Sequence, residues 1–420
     1  MTFPIPTLRR EHGHLMLEDC PLADIAERFG TPTYIYSAAA MKANFGAYAQ
    51  ALSGIDAMVC YAVKANSNLA VLSLFASLGA GFDIVSGGEL SRVLAAGGSA
   101  DRVVFSGVGK RRDEIVQALE AGIRCFNIES VAELETVSQL ASGLGRIAPV
   151  AFRVNPDVDA RTHPYISTGL RSNKFGVPID DAFDLYRRAA ELPALELSGI
   201  ACHIGSQLLD PAPVAEAADR VLSLVDRLAD AGIALDHIDL GGGLGIRYQD
   251  ESPPAIDDFL APLVARMQGR RETLYLEPGR SLVGNAGLLL TRVELLKQGE
   301  EKSFAVVDAA MNDLARPALY DAYHQIEAVV ENDLAARQYD VVGPICESGD
   351  FLARSRMLAI RPGDLVAVLS AGAYGMTMSS NYNSRPRAAE VLVRGHEAFP
   401  ARQRESVEDL MRGERPLPAA

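Results

Sequence analysis

The sequence predicts an α/β protein in which a closed (β/α)8 barrel precedes a mostly β C-terminal domain. A unit of buried strand, loop and helix recurs from Ala57 onward, and eight such units fit into about 220 residues. That number and order are typical of a TIM barrel, in which parallel strands are covered by an outer ring of helices. A doubly wound open sheet uses the same unit, but the count of eight favours closure. After Gly279 the helical periodicity gives way to short β-rich segments.

Each predicted barrel strand is a short apolar run, and the eight strands span residues 58–63, 81–85, 103–106, 125–128, 150–154, 195–202, 237–240 and 273–276. Helical periodicity separates them, for example at residues 111–121, 131–140, 182–191 and 213–231. Two further helices begin with a serine that is followed three positions later by a glutamate, Ser86 with Glu89 and Ser130 with Glu133. This spacing predicts a capping box, in which each side chain bonds the backbone N–H of the other residue.

The chain outside the barrel is predicted to form a second, mostly β domain that is sandwich-like or barrel-like. Its strands are expected at residues 288–296, 304–307, 340–342, 364–368 and 388–393, and a helix is expected at 405–413. Residues 1–30 contain a short strand-like piece and a helix at 22–29 that Gly30 ends. We therefore divide the chain into an N-terminal segment packed with the β domain (1–30), a barrel (31–280) and a C-terminal β domain (281–420).

The composition is ordinary for a globular protein and excludes several partners. The 420 residues carry a formal net charge of −14, so a nucleic acid or an anionic membrane would be repelled. No apolar run reaches the roughly 18 residues needed to span a bilayer, and the first ten residues lack the apolar region of a signal peptide. Five cysteines without paired spacing predict neither a disulfide framework nor a zinc site, and they fit a reducing cytoplasm.

Polar side chains follow nearly every predicted barrel strand at the end where barrel active sites are built. Lys64 follows the first strand, His203 the sixth, and Glu277 and Arg280 the eighth. A lone lysine at such a position usually extends its ammonium into water. A lysine that converges with a histidine, a glutamate and an arginine instead indicates a site. There, desolvation lowers a lysine pKa and makes the amine a nucleophile toward an aldehyde.

A glycine cluster at residues 241–245 follows the seventh strand. Glycines let the backbone approach an anion closely and point several N–H groups at it. Such a cluster alone is usually a tight turn, but the loops after strands seven and eight commonly bind phosphate in these barrels. Together with Lys64, the cluster predicts pyridoxal 5′-phosphate as the cofactor. Glu277 is then expected beside the pyridine nitrogen and His203 against one face of the ring.

Nine motifs are distributed between residues 32 and 414: YAVKAN at 61–66, FDIVSGGEL at 82–90, HPYISTG at 163–169, NKFG at 173–176, HIGSQ at 203–207, GGGLGI at 241–246, EPGRS at 277–281, CESGD at 346–350 and AGAYG at 371–375. On these motifs the chain resembles the fold-type III pyridoxal-phosphate-dependent decarboxylases, and most closely the diaminopimelate decarboxylase family. The resemblance implies decarboxylation of meso-2,6-diaminopimelate to L-lysine and carbon dioxide, the last step of lysine biosynthesis, by a homodimer whose active site is shared between subunits.

The resemblance also implies a role for individual residues. Lys64 would form the Schiff base and His203 would stack on the cofactor ring, while the residues around ring and phosphate would be Ser206, Gly242, Gly243, Glu277, Pro278, Gly279, Arg280 and Tyr374. The distal end of the substrate would be bound by Arg280, Arg316, Tyr320, Glu347 and Tyr374. Cys346 and Glu347 would enter from the second subunit, with Cys346 as the proton donor.

Three other functions are weighed against this one. A decarboxylase of the same fold acting on ornithine, arginine or a carboxylated polyamine would not need arginines for a distal carboxylate, whereas Arg280 and Arg316 suit that group because a guanidinium bonds it bidentately. An alanine racemase would carry arginine rather than Glu277 at the pyridine nitrogen. A non-catalytic homologue acting as a binding protein would not need Lys64 and Cys346 together with the rest of the site.

Overall fold

The computed structural model describes residues 3–159 and 174–418. The chain forms two compact units: one comprises residues 42–247 and 251–282, and the other comprises residues 1–41, 248–250 and 283–420. The motif at 163–169 and the first residue of the motif at 173–176 lie outside the described residues. Within the described ranges, no helix is both long enough and apolar enough to cross a bilayer.

The chain begins with a small antiparallel sheet and one helix. Its elements are β1 (Leu8–Glu11), β2 (His14–Leu17), β3 (Cys20–Pro21), α1 (Leu22–Phe29) and β4 (Thr33–Ser37). Helix α1 has the bounds that the sequence predicts, and Gly30 ends it with a backbone φ of 72°, a conformation that glycine adopts without strain. Strand β4 is not part of this three-stranded sheet and pairs with strands from the C-terminal part of the chain.

The barrel unit alternates strands and helices. Its elements are α2 (Ala38–Ala51), β5 (Ala57–Ala62), α3 (Leu69–Ser77), β6 (Gly81–Ile84), α4 (Gly87–Ala95), β7 (Val103–Phe105), α5 (Arg112–Ala121), β8 (Cys125–Ile128), α6 (Val131–Leu144), β9 (Ala148–Asn155), β10 (Val177–Pro178), α7 (Ile179–Ala189), β11 (Leu195–Ala201), α8 (Ala212–Asp230), β12 (His237–Asp239), α9 (Ile256–Met267) and β13 (Thr273–Leu276). The pairing order is β9-β11-β12-β13-β5-β6-β7-β8, and β8 pairs with β9. The sheet is therefore closed and parallel, which confirms the barrel over the open sheet.

The inside of the barrel is filled by side chains of different sizes from several strands. One buried cluster combines Met58, Cys60, Val104, Cys125, Ala151 and Tyr275. Since each fully buried apolar side chain of this kind contributes about 1.5–3 kcal/mol, the interior is a packed core rather than a channel. Any cavity at the carboxyl ends of the strands consequently has a rigid floor.

The predicted capping boxes are half correct. Ser86 Oγ accepts from the N–H of Glu89 at 3.2 Å, as the spacing predicts. The carboxylate of Glu89, however, accepts from the N–H of Val85 at 2.7 Å, one residue before the cap. Glu133 does the same with the N–H of Glu129 at 2.9 Å. Each glutamate therefore ties its helix to the residue that leaves the preceding strand, which stiffens the loops at the carboxyl end of the barrel.

The remaining elements are α10 (Arg280–Val283), β14 (Gly287–Gln298), β15 (Ser303–Val307), α11 (Arg316–Tyr320), β16 (Ile326–Ala328), β17 (Arg337–Val342), β18 (Phe351–Leu358), β19 (Leu365–Val368), β20 (Ala389–Arg394), β21 (Glu397–Arg402) and α12 (Val407–Leu410). The main sheet has the order β18-β17-β15-β14-β4-β20-β21, with β19 paired to β14 and β16. The sequence predicts five of these strands but misses β16, β18 and β21. In β18 the run Arg354-Ser355-Arg356 interrupts the apolar alternation, and Ser355 has a φ of 55°.

The core of this β unit is built from both ends of the chain. Ile5, Leu15 and Leu22 from the first residues share one buried cluster with Leu288 and Val391. Strand β4 lies between β14 and β20, antiparallel to the first and parallel to the second. Strand β4 is thus an integral part of this sheet, and the residues before it contribute to its core.

Candidate active site

Lys64 lies directly after the first barrel strand. Strand β5 ends at Ala62, and a short 3-10 turn, Val63–Ala65, carries the lysine. The Nζ atom is 2.5 Å from Oδ2 of Asp83, which is the third residue of β6 and whose side chain is fully buried, whereas 40% of the Lys64 side chain is exposed. Because an unpaired buried carboxylate is costly, Asp83 fixes the ammonium at the end of the barrel instead of leaving it to extend into bulk water.

Two further carboxyl groups lie near this pair, and both are kept from ionising freely. Burial, followed by the charges of Asp239 and Asp83, raises the pKa of Glu277 well above its usual range. Burial also raises the pKa of Asp239 to about 6. Asp239 ends β12 and is 1% exposed, while Glu277 follows β13 and is half-buried. Glu277 therefore lies near Lys64, Asp83 and Asp239, and the arrangement favours a proton held between Asp239 and Glu277.

His203 follows strand β11 and is neutral at physiological pH. Burial, helped by the positive charges of Arg153 and Lys64, lowers the pKa of the imidazole to about 3. The N–H of Gly242 donates to Nδ1 of His203 at 3.4 Å, which leaves the ring proton on Nε2. A neutral, half-buried imidazole held in this way can pack flat against an aromatic ring without a charge to desolvate.

The loops after the last two barrel strands form a cradle that only glycine permits. A Cβ atom on Gly242 would lie 2.3 Å from the carbonyl oxygen of Glu277, and Gly243 has a φ of 118°. The two loops are joined, since the N–H of Glu277 donates to the carbonyl oxygen of Gly241 at 2.7 Å. Gly242 and Gly243 both keep part of their surface exposed. This backbone can approach a phosphate more closely than any chain with side chains at these positions.

Arg280 and Ser206 border this cradle. Nε and one terminal nitrogen of Arg280 donate to Oγ of Ser206 at 3.3 and 3.2 Å, and Arg280 is 7% exposed. Gly279 and Pro278 connect the cradle to the lysine turn: a Cβ on Gly279 would lie 3.0 Å from Cβ of Ala65, and the carbonyl of Pro278 accepts from the N–H of Ala62 at 3.1 Å. The phosphate cradle and the lysine turn are therefore one rigid piece of the barrel.

The donor set fits pyridoxal phosphate. An amine, a neutral imidazole, a carboxyl group able to hold a proton and a glycine cradle with a guanidinium all lie at the carboxyl ends of the strands. They match the aldehyde, the ring face, the pyridine nitrogen and the phosphate of that cofactor. In the barrel unit the structure brings together Lys64, His203, Ser206, Gly242, Gly243, Glu277, Pro278, Gly279 and Arg280.

The other sequence-predicted site residues belong to the β unit. Arg316 begins helix α11 and is 8% exposed, with its guanidinium carbon 4.9 Å from the centre of the Tyr248 ring. Tyr248 in turn packs edge-on against His324, with ring centres 5.4 Å apart. Tyr320 ends α11 and is half-buried. The Arg316 side chain is thus held in a fixed orientation by an aromatic ring that the sequence analysis overlooks.

Cys346, Glu347 and Tyr374 lie on loops of the β unit. Cys346 and Glu347 are exposed, and the N–H of Cys346 donates to Oδ1 of Asn383 at 2.9 Å. The carboxylate of Asp350 accepts from the N–H groups of Ile345 and Met311 at 2.8 and 2.7 Å, so the exposed loop has a rigid base. Tyr374 is half-buried and has a φ of 55°, which is uncommon for a residue other than glycine and marks a constrained position.

Asp83 is one of the polar residues at the predicted strand ends but receives no predicted role, and Asp239 is not predicted at all. Both are acidic residues inside short apolar strands, at or near the carboxyl end, where a charged group is expensive to bury. That conflict between strand pattern and charge is the signal that could have identified them. Asp239 also lies two positions before the first glycine of the cluster, so its carboxylate reaches the backbone of that loop.

Comparison with known proteins adds three results. Residues 38–284 match the family model described as pyridoxal-dependent decarboxylase, pyridoxal binding domain. The diaminopimelate decarboxylase of Pseudomonas fluorescens is 61% identical over 407 residues, covering 97% of this chain and 98% of the relative. Crystal structures of diaminopimelate decarboxylase in complex with L-lysine from M. jannaschii (38% identity, TM-score 0.94, 99% of each chain) and from Helicobacter pylori (42% identity, TM-score 0.90, 93% of this chain and 98% of that one) are also similar. The similarity therefore includes both units.

Proposed function

The chain belongs to the pyridoxal-dependent decarboxylases and, within them, to the diaminopimelate decarboxylases, and from this premise we propose that it converts meso-2,6-diaminopimelate to L-lysine and carbon dioxide, the last step of lysine biosynthesis. The observation that carries this proposal is the Lys64 ammonium, held by the buried Asp83 at the same barrel end as the glycine cradle. An amine and a phosphate cradle at one end of a barrel suit pyridoxal phosphate, which the family uses.

Each barrel residue has a proposed role toward the cofactor. Lys64 holds the aldehyde end through its amine, and His203 covers one ring face. Glu277 holds a proton at the pyridine nitrogen. The phosphate is bound by the residues of the cradle, Ser206, Gly242, Gly243, Pro278, Gly279 and Arg280, together with Tyr374. When bound, pyridoxal phosphate supplies the electron sink that accepts the electron pair of the broken carbon–carboxylate bond.

The substrate end remote from the reaction carries one carboxylate and one ammonium group. We assign Arg280, Arg316, Tyr320 and Tyr374 to the carboxylate and Glu347 to the ammonium. Arg316 is the most informative of these residues, because it is nearly buried and its guanidinium is fixed over Tyr248. An oriented guanidinium can bond a carboxylate bidentately, and it loses little side-chain entropy on doing so. This group distinguishes diaminopimelate from ornithine, which has no distal carboxylate.

The departing carboxylate must be replaced by a proton. We assign that proton to the thiol of Cys346, or to a water molecule guided by Glu347. Both residues are exposed on a loop whose base Asp350 fixes. An exposed but rigid polar loop suits insertion into the site of another copy of the chain, so we propose a homodimer in which these residues complete the partner's site.

Two further properties are proposed. All five cysteines are free thiols, which fits the reducing conditions of the cytoplasm. The net charge of −14 favours a small-molecule substrate over nucleic acid as the partner.

The function is tested by supplying the purified protein with pyridoxal phosphate. Carbon dioxide release is measured from meso-diaminopimelate, ornithine, arginine and a carboxylated polyamine, and the product is identified by mass. We expect lysine from diaminopimelate and a kcat/KM lower by about 100-fold or more for substrates without the distal carboxylate. Equal or faster turnover of ornithine would instead identify a decarboxylase of the rival class. A protein that binds no aldehyde cofactor, judged by its absorption spectrum, would be a non-catalytic homologue.

A further inference from the structure

Asp239 and Glu277 are connected through a single glycine. Oδ1 of Asp239 accepts from the N–H of Gly241 at 2.8 Å, and the carbonyl oxygen of Gly241 accepts from the N–H of Glu277 at 2.7 Å. The two carboxyl groups also interact directly, since the charge of Asp239 is, after burial, the largest cause of the raised pKa of Glu277. Asp239 therefore sets the position of the glycine loop and, through that loop, of the Glu277 backbone.

The second oxygen of Asp239 requires a proton nearby. Oδ2 is buried and has no hydrogen-bond partner among the described residues. Ionised carboxylates only accept hydrogen bonds, so the contact with Glu277 becomes a hydrogen bond only when one of the two groups is protonated. Burial raises the pKa of both groups, that of Asp239 to about 6, and the hydrogen bond from the N–H of Gly241 favours the ionised form of Asp239. The proton consequently resides on Glu277 and is donated to Asp239.

We propose that Asp239 is a positioning residue whose negative charge, acting through Glu277, keeps a proton at the pyridine nitrogen of pyridoxal phosphate. This inference rests on the proposed function. When a cofactor with an unprotonated ring nitrogen binds, the proton moves from the Glu277 carboxyl to that nitrogen, and Glu277 becomes a carboxylate. The hydrogen bond from Glu277 to Asp239 is replaced by one from the ring nitrogen to Glu277, and no proton is taken from or released to solvent.

Among the groups near Glu277, Asp239 carries the main charge that another group does not balance. Asp83 on β6 is paired with Lys64 at 2.5 Å, so its charge is largely balanced. The thiols of Cys60, Cys125 and Cys202 lie near enough to Asp239 to interact with its charge, and burial raises their pKa values, to about 12 for Cys125 and Cys202, so all three are neutral. The polar neighbours Ser106 and Asn127 carry no charge: Ser106 Oγ is 3.5 Å from Glu277, and Asn127 donates to Ser106 at 3.0 Å and, as a neutral neighbour, lowers the pKa of Asp239.

Asp239→Asn removes the charge of the residue but keeps its contact with the glycine loop, because the amide oxygen of asparagine can still accept a hydrogen bond from the N–H of Gly241. The variant and the wild type are loaded with pyridoxal phosphate labelled with 15N in the ring, and the nitrogen chemical shift is followed against pH by NMR. In the variant we expect the midpoint of ring-nitrogen deprotonation to fall by about one pH unit or more. Asp313→Asn is the matched control, because Asp313 is also buried (1% exposed) and accepts from a backbone N–H, that of Ala310, but belongs to the β unit. Its midpoint should equal that of the wild type.

An unchanged midpoint in Asp239→Asn overturns the inference while leaving the proposed function intact, whereas a wild-type protein that binds no cofactor overturns the proposed function itself. If the Asp239→Asn variant folds but binds no cofactor under the NMR conditions, a second measurement tests the inference. Affinities are then compared for pyridoxal phosphate and for its analogue with C–H in place of the ring nitrogen. A loss of about tenfold or more for the cofactor alone supports the inference. Equal losses for both ligands overturn it, because the defect would then lie in the glycine loop. Asp239→Ser, which also keeps a hydroxyl acceptor without charge, repeats the test if the asparagine variant does not fold.

Discussion

The Nζ atom of Lys64 lies 2.5 Å from Oδ2 of Asp83, and the two side chains differ sharply in exposure, 40% for the lysine and none for the aspartate. The pair joins the turn after β5 to the neighbouring strand β6. The buried partner depends on the exposed one, since Asp83 would otherwise be an uncompensated charge in the barrel core. The lysine therefore has a structural role in addition to its proposed role toward the cofactor, and substitutions can separate the two.

Lys64→Ala should abolish decarboxylation and remove the absorbance of the lysine-bound aldehyde, and it should also destabilise the cofactor-free protein by about 1–2 kcal/mol, a buried-pair value reduced for the exposure of the lysine. Lys64→Arg is the control, because it keeps a positive charge beside Asp83 but offers no amine for the aldehyde. Urea unfolding of both variants measures the difference. Turnover at the wild-type rate by either variant contradicts the assignment of Lys64.

Gly242→Ala should weaken cofactor binding by about tenfold or more, since the new methyl group would lie 2.3 Å from a backbone oxygen of the neighbouring loop. The affinity is measured by titration of the cofactor-free protein with pyridoxal phosphate. Gly143→Ala serves as the control, because that glycine lies in helix α6 with open space around its Cβ position. The control should leave the affinity unchanged and slightly raise stability. A Gly242→Ala protein with wild-type affinity would show that the loop is not the phosphate cradle.

Asp239 shows which parts of this site the sequence pattern predicts and which parts depend on the folded structure. The recurrence of apolar runs and helical segments is enough to predict the closed barrel, and the carboxyl ends of its strands identify Lys64, His203 and the glycine loop. The pairing of Lys64 with Asp83 and of Glu277 with Asp239 depends on neighbouring strands and on burial, which a linear pattern does not contain. Short strands such as β16 are also missed, because pairing with β19 rather than an intrinsic pattern makes them strands.

Acid stability should depend on His237, which ends up fully buried and stacked on Tyr275 with ring centres 4.3 Å apart. Burial lowers its pKa from 6.5 to about 3. Between these values the unfolded chain binds a proton that the folded chain does not, so stability falls as pH falls through this window, by about 1.4 kcal/mol per pH unit for one such group. His237→Gln should remove that part of the slope between pH 4 and pH 6, as measured by urea unfolding.

Buried carboxyl groups change the free energy of unfolding with pH in the opposite direction. The pH dependence of the His237→Gln variant is therefore compared with that of the wild type. The pKa of Asp313 is raised to about 7 and that of Asp239 to about 6, and both groups therefore add stability as pH falls. They are common to both proteins and cancel in the difference. Above pH 7 the two slopes should coincide. Identical slopes below pH 6 would mean that His237 takes up a proton in the folded state.

Arg316→Ala should reduce kcat/KM for meso-diaminopimelate by about 100-fold or more, because the distal carboxylate loses a fixed bidentate partner. Any residual activity on a diamino acid without that carboxylate should fall much less. Arg354→Ala is the control, since Arg354 also packs on an aromatic ring, with its guanidinium carbon 3.7 Å from the centre of Phe351, but is exposed. An equal loss of kcat/KM on both substrates would show that Arg316 stabilises helix α11 and does not bind the distal carboxylate.

The shared site is tested by mixing two inactive variants. Lys64→Ala lacks the amine of its own barrel, and Cys346→Ala lacks the exposed thiol proposed to serve the partner's site. If each site combines Lys64 of one subunit with Cys346 of the other, a mixed dimer contains one intact site and one doubly defective site. Random exchange of equal amounts should therefore restore about a quarter of the wild-type activity.

Cys346→Ala alone should lower kcat far more than it changes KM, because a proton donor acts after the substrate is bound. Activity that does not rise after mixing, in a sample shown by mass spectrometry of intact complexes to contain mixed dimers, would place both residues in the same chain's site.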